Sequence, residues 1–457
     1  IHLVNFFLLV VIFSKIQNYF SVNNKYACLT AASLYLFYPG NVTNLAWVSA
    51  RTDLVVILFC LVSFYFTFVF IEKNKKFFLV ASALVYLAAL LSKENAVSWF
   101  IVEFILIWLL YFLNNKPPAL FSSLMKIFNA KITALIVFVF CRSALASLET
   151  KTLFTNLNIF NTIIAYVKSV LFTFLPVDSG TLIYFYAQYK LTFFVMAFLY
   201  CAAFLFILWF AFAKRKYSAI IFSGIGITLS TLSFYAIAGG GTYRLFSLTF
   251  VSFLIFVFTF LSSRLKSSEK IKIPLKISYS IVIVLFILGY YTITNYWLTN
   301  YKVQEESLSS LTNTYDKGKE NLIINYPHSL GQSYCFSDIG VYLFFKMNNS
   351  IGRFNNITSL AAINSFDAGH YISGGVITKN GNDFIVSSDF NDTYFTHEPF
   401  YTQKYSLGIH TAERKDAIYE VLKLNMFSKP LTVKITPGIN TASVNVVKFE
   451  NGKFVKF

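Results

Sequence analysis

Charge is scarce in this chain, and acid is scarcer than base. Only 13% of its residues are Asp, Glu, Lys or Arg, about half the quarter typical of a soluble domain. That excludes an ordinary water-soluble globular protein for most of the length. Cysteine is also sparse. Cys28, Cys60, Cys141 and Cys201 lie in or beside apolar stretches and Cys335 stands alone in a polar C-terminal part, so no disulfide closes within that part. His2, His328, His370, His397 and His410 show no HxxxH or related spacing. No metal-ligand set is therefore legible; no cofactor is identifiable, and a divalent metal stays open. There is no 34-residue helical period, which excludes a tetratricopeptide array.

What is abundant is apolar. The chain of 457 residues is 56% hydrophobic and 19% aromatic. Runs such as Leu54–Ile71, Ala96–Leu113, Leu191–Ala213 and Ile277–Thr294 are long enough to cross a bilayer core of roughly 30 Å. Nothing at the start resembles a cleaved signal peptide, and Ile1 opens in the middle of an apolar segment. The expectation is a fragment whose natural N-terminus lies upstream.

The net charge of +17 is unevenly spread. Residues 1–297 carry 23 Lys+Arg against 7 Asp+Glu, and residues 298–457 carry 15 against 14. The excess belongs to the apolar part, where Lys and Arg set membrane orientation, so nucleic acid is not an expected partner. One set of loops holds Lys15, Lys25, Lys73, Lys75, Lys76, Lys116, Lys126, Lys131, Lys214, Arg215, Lys216, Arg264, Lys266, Lys270, Lys272 and Lys276. The alternate loops hold Arg51, Lys93, Arg142, Lys151, Lys168, Lys190 and Arg244. The richer set is cytoplasmic by the positive-inside rule. Ten spans then alternate, near 2–20, 26–38, 53–71, 77–91, 96–113, 129–147, 191–213, 217–238, 244–262 and 276–297. Ile159–Leu175, with Lys168 in its middle and Pro176 at its end, reads as an interfacial or re-entrant helix instead.

The fold class is thus a polytopic α-helical membrane protein of about ten spans, residues 1–297, with an extracytoplasmic α+β domain at 298–457. In that domain Asn321–Tyr326, Phe384–Ser388, Leu431–Ile435 and Ser443–Phe449 read as strands, with Asn451-Gly452 as a hairpin turn before Lys453–Phe457. The apolar spacing of Arg414–Leu424 predicts a helix. Asn41, Asn348, Asn356 and Asn391 open N-x-Ser/Thr sequons, a pattern that an asparagine-rich chain also produces by chance.

Two polar strips fall on the outer face. Tyr38–Asp53 ends in Arg51 and Asp53, and Ser92-Lys93-Glu94-Asn95 follows the next pair of spans. Asp53 stands where a carboxylate favours a helix N-terminus. The plain alternative is a capped helix, with Arg51 reaching lipid headgroups. Arg142 breaks an apolar span near its outer end, and Arg244 follows Gly239-Gly240-Gly241-Thr242-Tyr243. Arg51, Lys93, Arg142 and Arg244 together suit an anionic group such as a lipid phosphate; four separate headgroup contacts would look the same. Glu103 lies deep in its span and needs a partner or a proton. His2 and Asn5 suit hydrogen bonds between helices.

These strips resemble the GT-C superfamily of membrane glycosyltransferases, close to the transmembrane/tetratricopeptide O-mannosyltransferases and their bacterial relatives. The matching residues are Pro39, Ala46, Trp47, Arg51 and Asp53, then Ser92, Lys93 and Glu94, then Tyr243 and Arg244, with His2-Leu3-Val4-Asn5 similar to the start of the second span. The likeness covers about residues 1–262. The family's histidine is Tyr38 here, its glutamate is Thr43, and its later acid is Thr242. The resemblance implies transfer of a sugar from a polyprenyl-phosphate donor to a protein or glycan acceptor at the outer face of the plasma (inner) membrane, rather than in the endoplasmic reticulum. Taken with the charges themselves, the expected mechanism has Lys93, Arg142 and Arg244 hold the donor phosphate and Arg51 and Asp53 brace the outer loops, with Glu94 and Tyr243 completing the candidate site. The resemblance also implies a catalytic aspartate in an outer loop upstream of Ile1, so this stretch alone is expected to be inactive. Among visible acids on that face, Asp53, Glu94, Glu149 and Asp178, none is evidently placed to take the acceptor's proton. A lipid-linked glycan translocator, or an assembly or polymerase subunit without chemistry, is the alternative reading.

Overall fold

The computed structural model describes residues 1–46, 50–114, 119–145, 159–177, 179–212, 217–237, 243–265, 272–316, 318–319, 321–331, 333–335, 357–365, 367–381, 383–387, 393–396, 409–414, 432–437 and 444–457. The described residues are mostly helical, with a smaller sheet region towards the C-terminus. The helices are α1 (His2–Tyr19), α2 (Lys25–Leu36), α3 (Gly40–Ala46), α4 (Arg51–Lys73), α5 (Lys76–Ser92), α6 (Trp99–Leu113), α7 (Ala119–Leu145), α8 (Ile159–Thr173), α9 (Ser179–Gln188), α10 (Lys190–Phe212), α11 (Tyr217–Ile237), α12 (Ser247–Leu265), α13 (Lys272–Thr314) and the short α14 (Ala368–Ser373). Short 3-10 turns cover Glu94–Ser98 and Tyr243–Phe246.

Among the described residues, six helical stretches are long and apolar enough to cross a membrane: His2–Tyr19, Arg51–Lys73, Glu94–Leu113, Ser122–Ser143, Lys190–Phe212 and Ile273–Thr314. The other expected spans fall on shorter apolar helices or, at 26–38, on the 12 residues of α2, about 18 Å of helix. The reason is local. Pro39 offers no backbone N–H and disfavours helix at Tyr38, so the chain breaks there and restarts as α3.

The chain divides into two compact units. One holds residues 1–177 and 195–290, and the other holds 178–194 and 291–457. The expected boundary at 297/298 falls inside α13, which runs unbroken for 43 residues. Its last turns after 297 are polar but free of Pro and Gly, so nothing local stops the helix.

In the first unit α4 lies along α5, α5 along α7, and α1 against α2, α4 and α12. The α4–α5 connection is tight because Asn74 takes the left-handed conformation (φ 52°) and returns its N–H to the Phe70 carbonyl at 2.7 Å. Lys15 of α1 pairs with Glu72 of α4 at 2.7 Å. Asn5 of α1 donates to Tyr35 Oη and the Leu54 carbonyl, both at 3.0 Å. The His2 end of α1 therefore lies with the start of α4, and its Lys15 end with the finish of α4.

The described residues of the second unit form two sheets. The larger runs β10 (Lys453–Lys456), β9 (Asn445–Glu450), β1 (Asn321–Leu330), β3 (Ile357–Ser365), β6 (Thr393–Thr396), with β2 (Ser333–Tyr334) on β1. β1 is parallel to both neighbours, pairing Leu322 with Thr358 and with Val446. The second sheet is antiparallel, in the order β4 (Val376–Asn380), β5 (Asp383–Ser387), β8 (Thr432–Pro437), β7 (Ile409–Arg414). All the expected strands are present, and Asn451 and Gly452 both have positive φ in the β9–β10 turn, as such a hairpin requires. The helix expected over 414–424 begins on β7's last residue, Arg414; its remainder lies outside the described residues. Ile323, Tyr326, Ile363, Phe384, Val447 and Phe449 form the core, with Val303 and Leu311 of α13.

Candidate functional site

The Tyr38–Asp53 strip is not a surface loop over its first half. Tyr38 through Asn44 are all buried, and the Tyr38 ring stacks on Phe250 with centroids 4.2 Å apart and planes 8° from parallel. Asn41 donates to the Tyr35 carbonyl at 2.9 Å, and its burial removes it as a glycan site. Asn44 donates to Ser247 Oγ at 3.1 Å, and α3 packs against the Tyr243–Phe246 turn. The strip and the later Tyr243-Arg244 segment, some 200 residues apart in sequence, are thus neighbours through backbone contacts. The Tyr243 and Arg244 side chains lie outside the described residues, as do Glu149 and Asp178.

Asp53 sits in the first turn of α4 and is almost fully buried. Its Oδ1 accepts from Lys93 Nζ at 2.6 Å and from Asn95 Nδ2 at 3.4 Å. Its Oδ2 is buried and meets no hydrogen-bond partner among the described residues. Lys93 reaches Asp53 because of a local break. After α5, Lys93 is extended (φ −167°, ψ 140°) and its N–H closes on the Ala89 carbonyl at 3.2 Å. The chain then restarts at Glu94, which turns to a different partner. Glu94 Oε1 meets Arg142 Nη2 at 3.4 Å, both side chains about half exposed, a pair worth ~1 kcal/mol or less. Arg142 also stands 6.0 Å from the Phe138 ring. Arg51 is exposed, with Nε on the Leu45 carbonyl at 3.3 Å.

Four of the expected residues, Asp53, Lys93, Glu94 and Arg142, are therefore joined in two ion pairs through the adjacent Lys93 and Glu94. Arg51 lies on the same helix end as Asp53. Chemically the group offers three cations, two carboxylates and one unfilled buried acceptor.

A second polar layer lies deeper, and it corrects an expectation. Lys131 is not a cytoplasmic loop charge. It sits within α7, 1% exposed, and pairs with Glu103 Oε2 at 3.2 Å. Lys131 also donates to Ser63 Oγ, to Ser82 Oγ (2.7 Å) and to the Ser82 carbonyl (3.3 Å). Glu103 accepts from Trp99 Nε1 at 3.1 Å, from Ser63 Oγ at 3.3 Å and from Thr67 Oγ1. An ammonium and a carboxylate buried among apolar helices need each other and every available donor and acceptor. The two layers keep one spacing: Ser63, Ser82, Glu103 and Lys131 stand nine to eleven residues from Asp53, Lys93, Glu94 and Arg142 respectively, roughly 15 Å along each helix. The sequence signal was two opposite charges inside adjacent apolar stretches, beside Ser63/Thr67 and Trp99/Glu103 at helical i,i+4 spacing.

No group of three or more His, Cys, Asp or Glu suited to a metal occurs among the described residues. His2 Nε2 instead contacts the Leu36 carbonyl at 3.0 Å. No family model, curated protein or solved structure matches this chain. The functional reading therefore rests on the residues themselves.

Proposed function

We propose that the chain is a multi-pass membrane glycosyltransferase that takes a sugar from a polyprenyl-phosphate donor and passes it to a protein or glycan acceptor. In this reading it resides in the plasma membrane, and residues 298–457 face the outer side. The observation that carries it is the Asp53–Lys93 pair beside Glu94–Arg142 at one helix end. Lys93 is held by one buried carboxylate yet stays 28% exposed, with N–H groups left to meet a phosphate. Arg142 supplies a planar fork from the neighbouring helix. The sugar C1–O bond breaks with its electron pair passing to the donor phosphate, whose charge these cations stabilise. The acceptor oxygen bonds to C1 and its proton passes to a carboxylate. Asp53 Oδ2 offers a seat for a ligand hydroxyl.

The translocator reading needs charge along a path. Glu103 and Lys131 are both sealed from solvent and bonded to one another, which gives a moving substrate nothing to use. A direct test is binding. Undecaprenyl phosphate added to the full-length protein in micelles raises its melting temperature, and Lys93→Ala and Arg142→Ala each weaken that rise. Equal stabilisation of wild type and both variants removes these residues from the site.

A further inference from the structure

We propose that Ser63, Ser82 and Glu103 form a binding site for a small monovalent cation, and that the Lys131 ammonium is its built-in occupant. Around Nζ stand Ser63 Oγ, Ser82 Oγ at 2.7 Å, Glu103 Oε2 at 3.2 Å and the Ser82 carbonyl at 3.3 Å. The Tyr86 ring closes the site, 5.1 Å from Nζ. The oxygens come from α4, α5 and α6, and the cation from α7. One carboxylate with neutral oxygens is a donor set for a single positive charge. A divalent ion takes six or more oxygens and usually several carboxylates.

The cage does not depend on Lys131. Two donors besides the ammonium hold the carboxylate: Trp99 Nε1 on Oε2, the oxygen that Lys131 also meets, and Thr67 Oγ1 on Oε1. Ser82 Oγ donates to the Ser63 carbonyl at 2.8 Å and lies 2.7 Å from Thr67 Oγ1. Removing the ammonium therefore leaves the oxygens in place around a hole that carries one negative charge. In an apolar bundle that charge needs a replacement. A sodium, potassium or methylammonium ion supplies one, whereas choline is too large to enter.

The test uses the full-length protein in detergent at fixed ionic strength, comparing sodium, potassium, methylammonium and choline chlorides. Wild type melts at one temperature in all four. Lys131→Ala melts higher in at least one small cation than in choline, by about 3 °C at ten times the half-saturating concentration. Lys131→Ala/Glu103→Gln shows no such rise. Lys131→Ser, which leaves room for an ion and adds an oxygen, is the second variant if Lys131→Ala does not accumulate. Cation-insensitive melting of the single variants, sensitivity in the wild type, or loss of both variants in every salt overturns the proposal.

Discussion

Asp53 and Lys93 are joined at 2.6 Å, yet the Asp53 side chain is 5% exposed and the Lys93 side chain 28%. The pair is lopsided: one partner is fixed in the bundle and the other opens to whatever approaches. A buried acid that holds a reachable cation in place is how a protein presents a preset charge to an anionic ligand.

That asymmetry predicts unequal costs. Lys93→Ala strands a buried carboxylate and costs about 3 kcal/mol of stability. Asp53→Ala leaves an ammonium that solvent already reaches, and costs ~1 kcal/mol. Thermal unfolding of the two full-length variants in one detergent checks this. Equal losses contradict it.

Glu103→Ala leaves Lys131 as an uncompensated charge among apolar helices and costs about 3–5 kcal/mol. Glu103→Leu/Lys131→Met removes both charges and recovers most of the loss, because the desolvation cost goes with the pair. The same unfolding measurement reads both. A double variant as unstable as the single one contradicts the account.

Cys335 predicts a pH effect. Burial pushes its thiol up from 9.0 to about 12, and Sγ lies 3.6 Å from the Asn300 carbonyl. The folded form keeps a proton that the unfolded form loses near pH 9, so this contribution is complete below pH 9 and is lost as pH rises towards 12. Native protein at pH 8 accordingly resists a water-soluble maleimide at Cys335 and reacts there after denaturation; peptide mapping identifies the position.

Gly374 sits at φ +83°, and a Cβ there meets the Phe449 carbonyl oxygen. Gly374→Ala costs about 1–3 kcal/mol through its backbone alone, and the overlap adds to that. At Gly381, φ +61°, a Cβ has nothing within 4 Å, so Gly381→Ala costs only the backbone part. Protease resistance of residues 321–457 in the full-length protein, followed against urea, ranks the two.

The apolar helices were legible because long apolar runs announce themselves by unbroken hydropathy, and α4 and α6 fall on Leu54–Ile71 and Ala96–Leu113. Lys131 was not. Charge counting treats every lysine as one that seeks the headgroups, and the partner that keeps this one inside, Glu103, lies on another helix with no sequence period linking them. The proximity of Lys93 to Asp53 followed from placing both at the same membrane face. The direction of Glu94 towards Arg142 needed the extended backbone at Lys93, which no pattern displays. In the second unit, β1 and β9 were readable as strands. Their parallel pairing, between residues 124 apart such as Leu322 and Val446, is a tertiary choice that local propensity does not record.

The central claim is that Lys93 and Arg142 carry a leaving phosphate. Release of polyprenyl phosphate from a labelled polyprenyl-phosphate sugar, by the full-length protein in vesicles with an acceptor present, tests it most directly. The account predicts release by wild type and a loss of about 100-fold in Lys93→Met, with a loss in the same direction in Arg142→Met. Release at the wild-type rate by both variants, or passage of the intact lipid-linked sugar across the bilayer with no release, contradicts it.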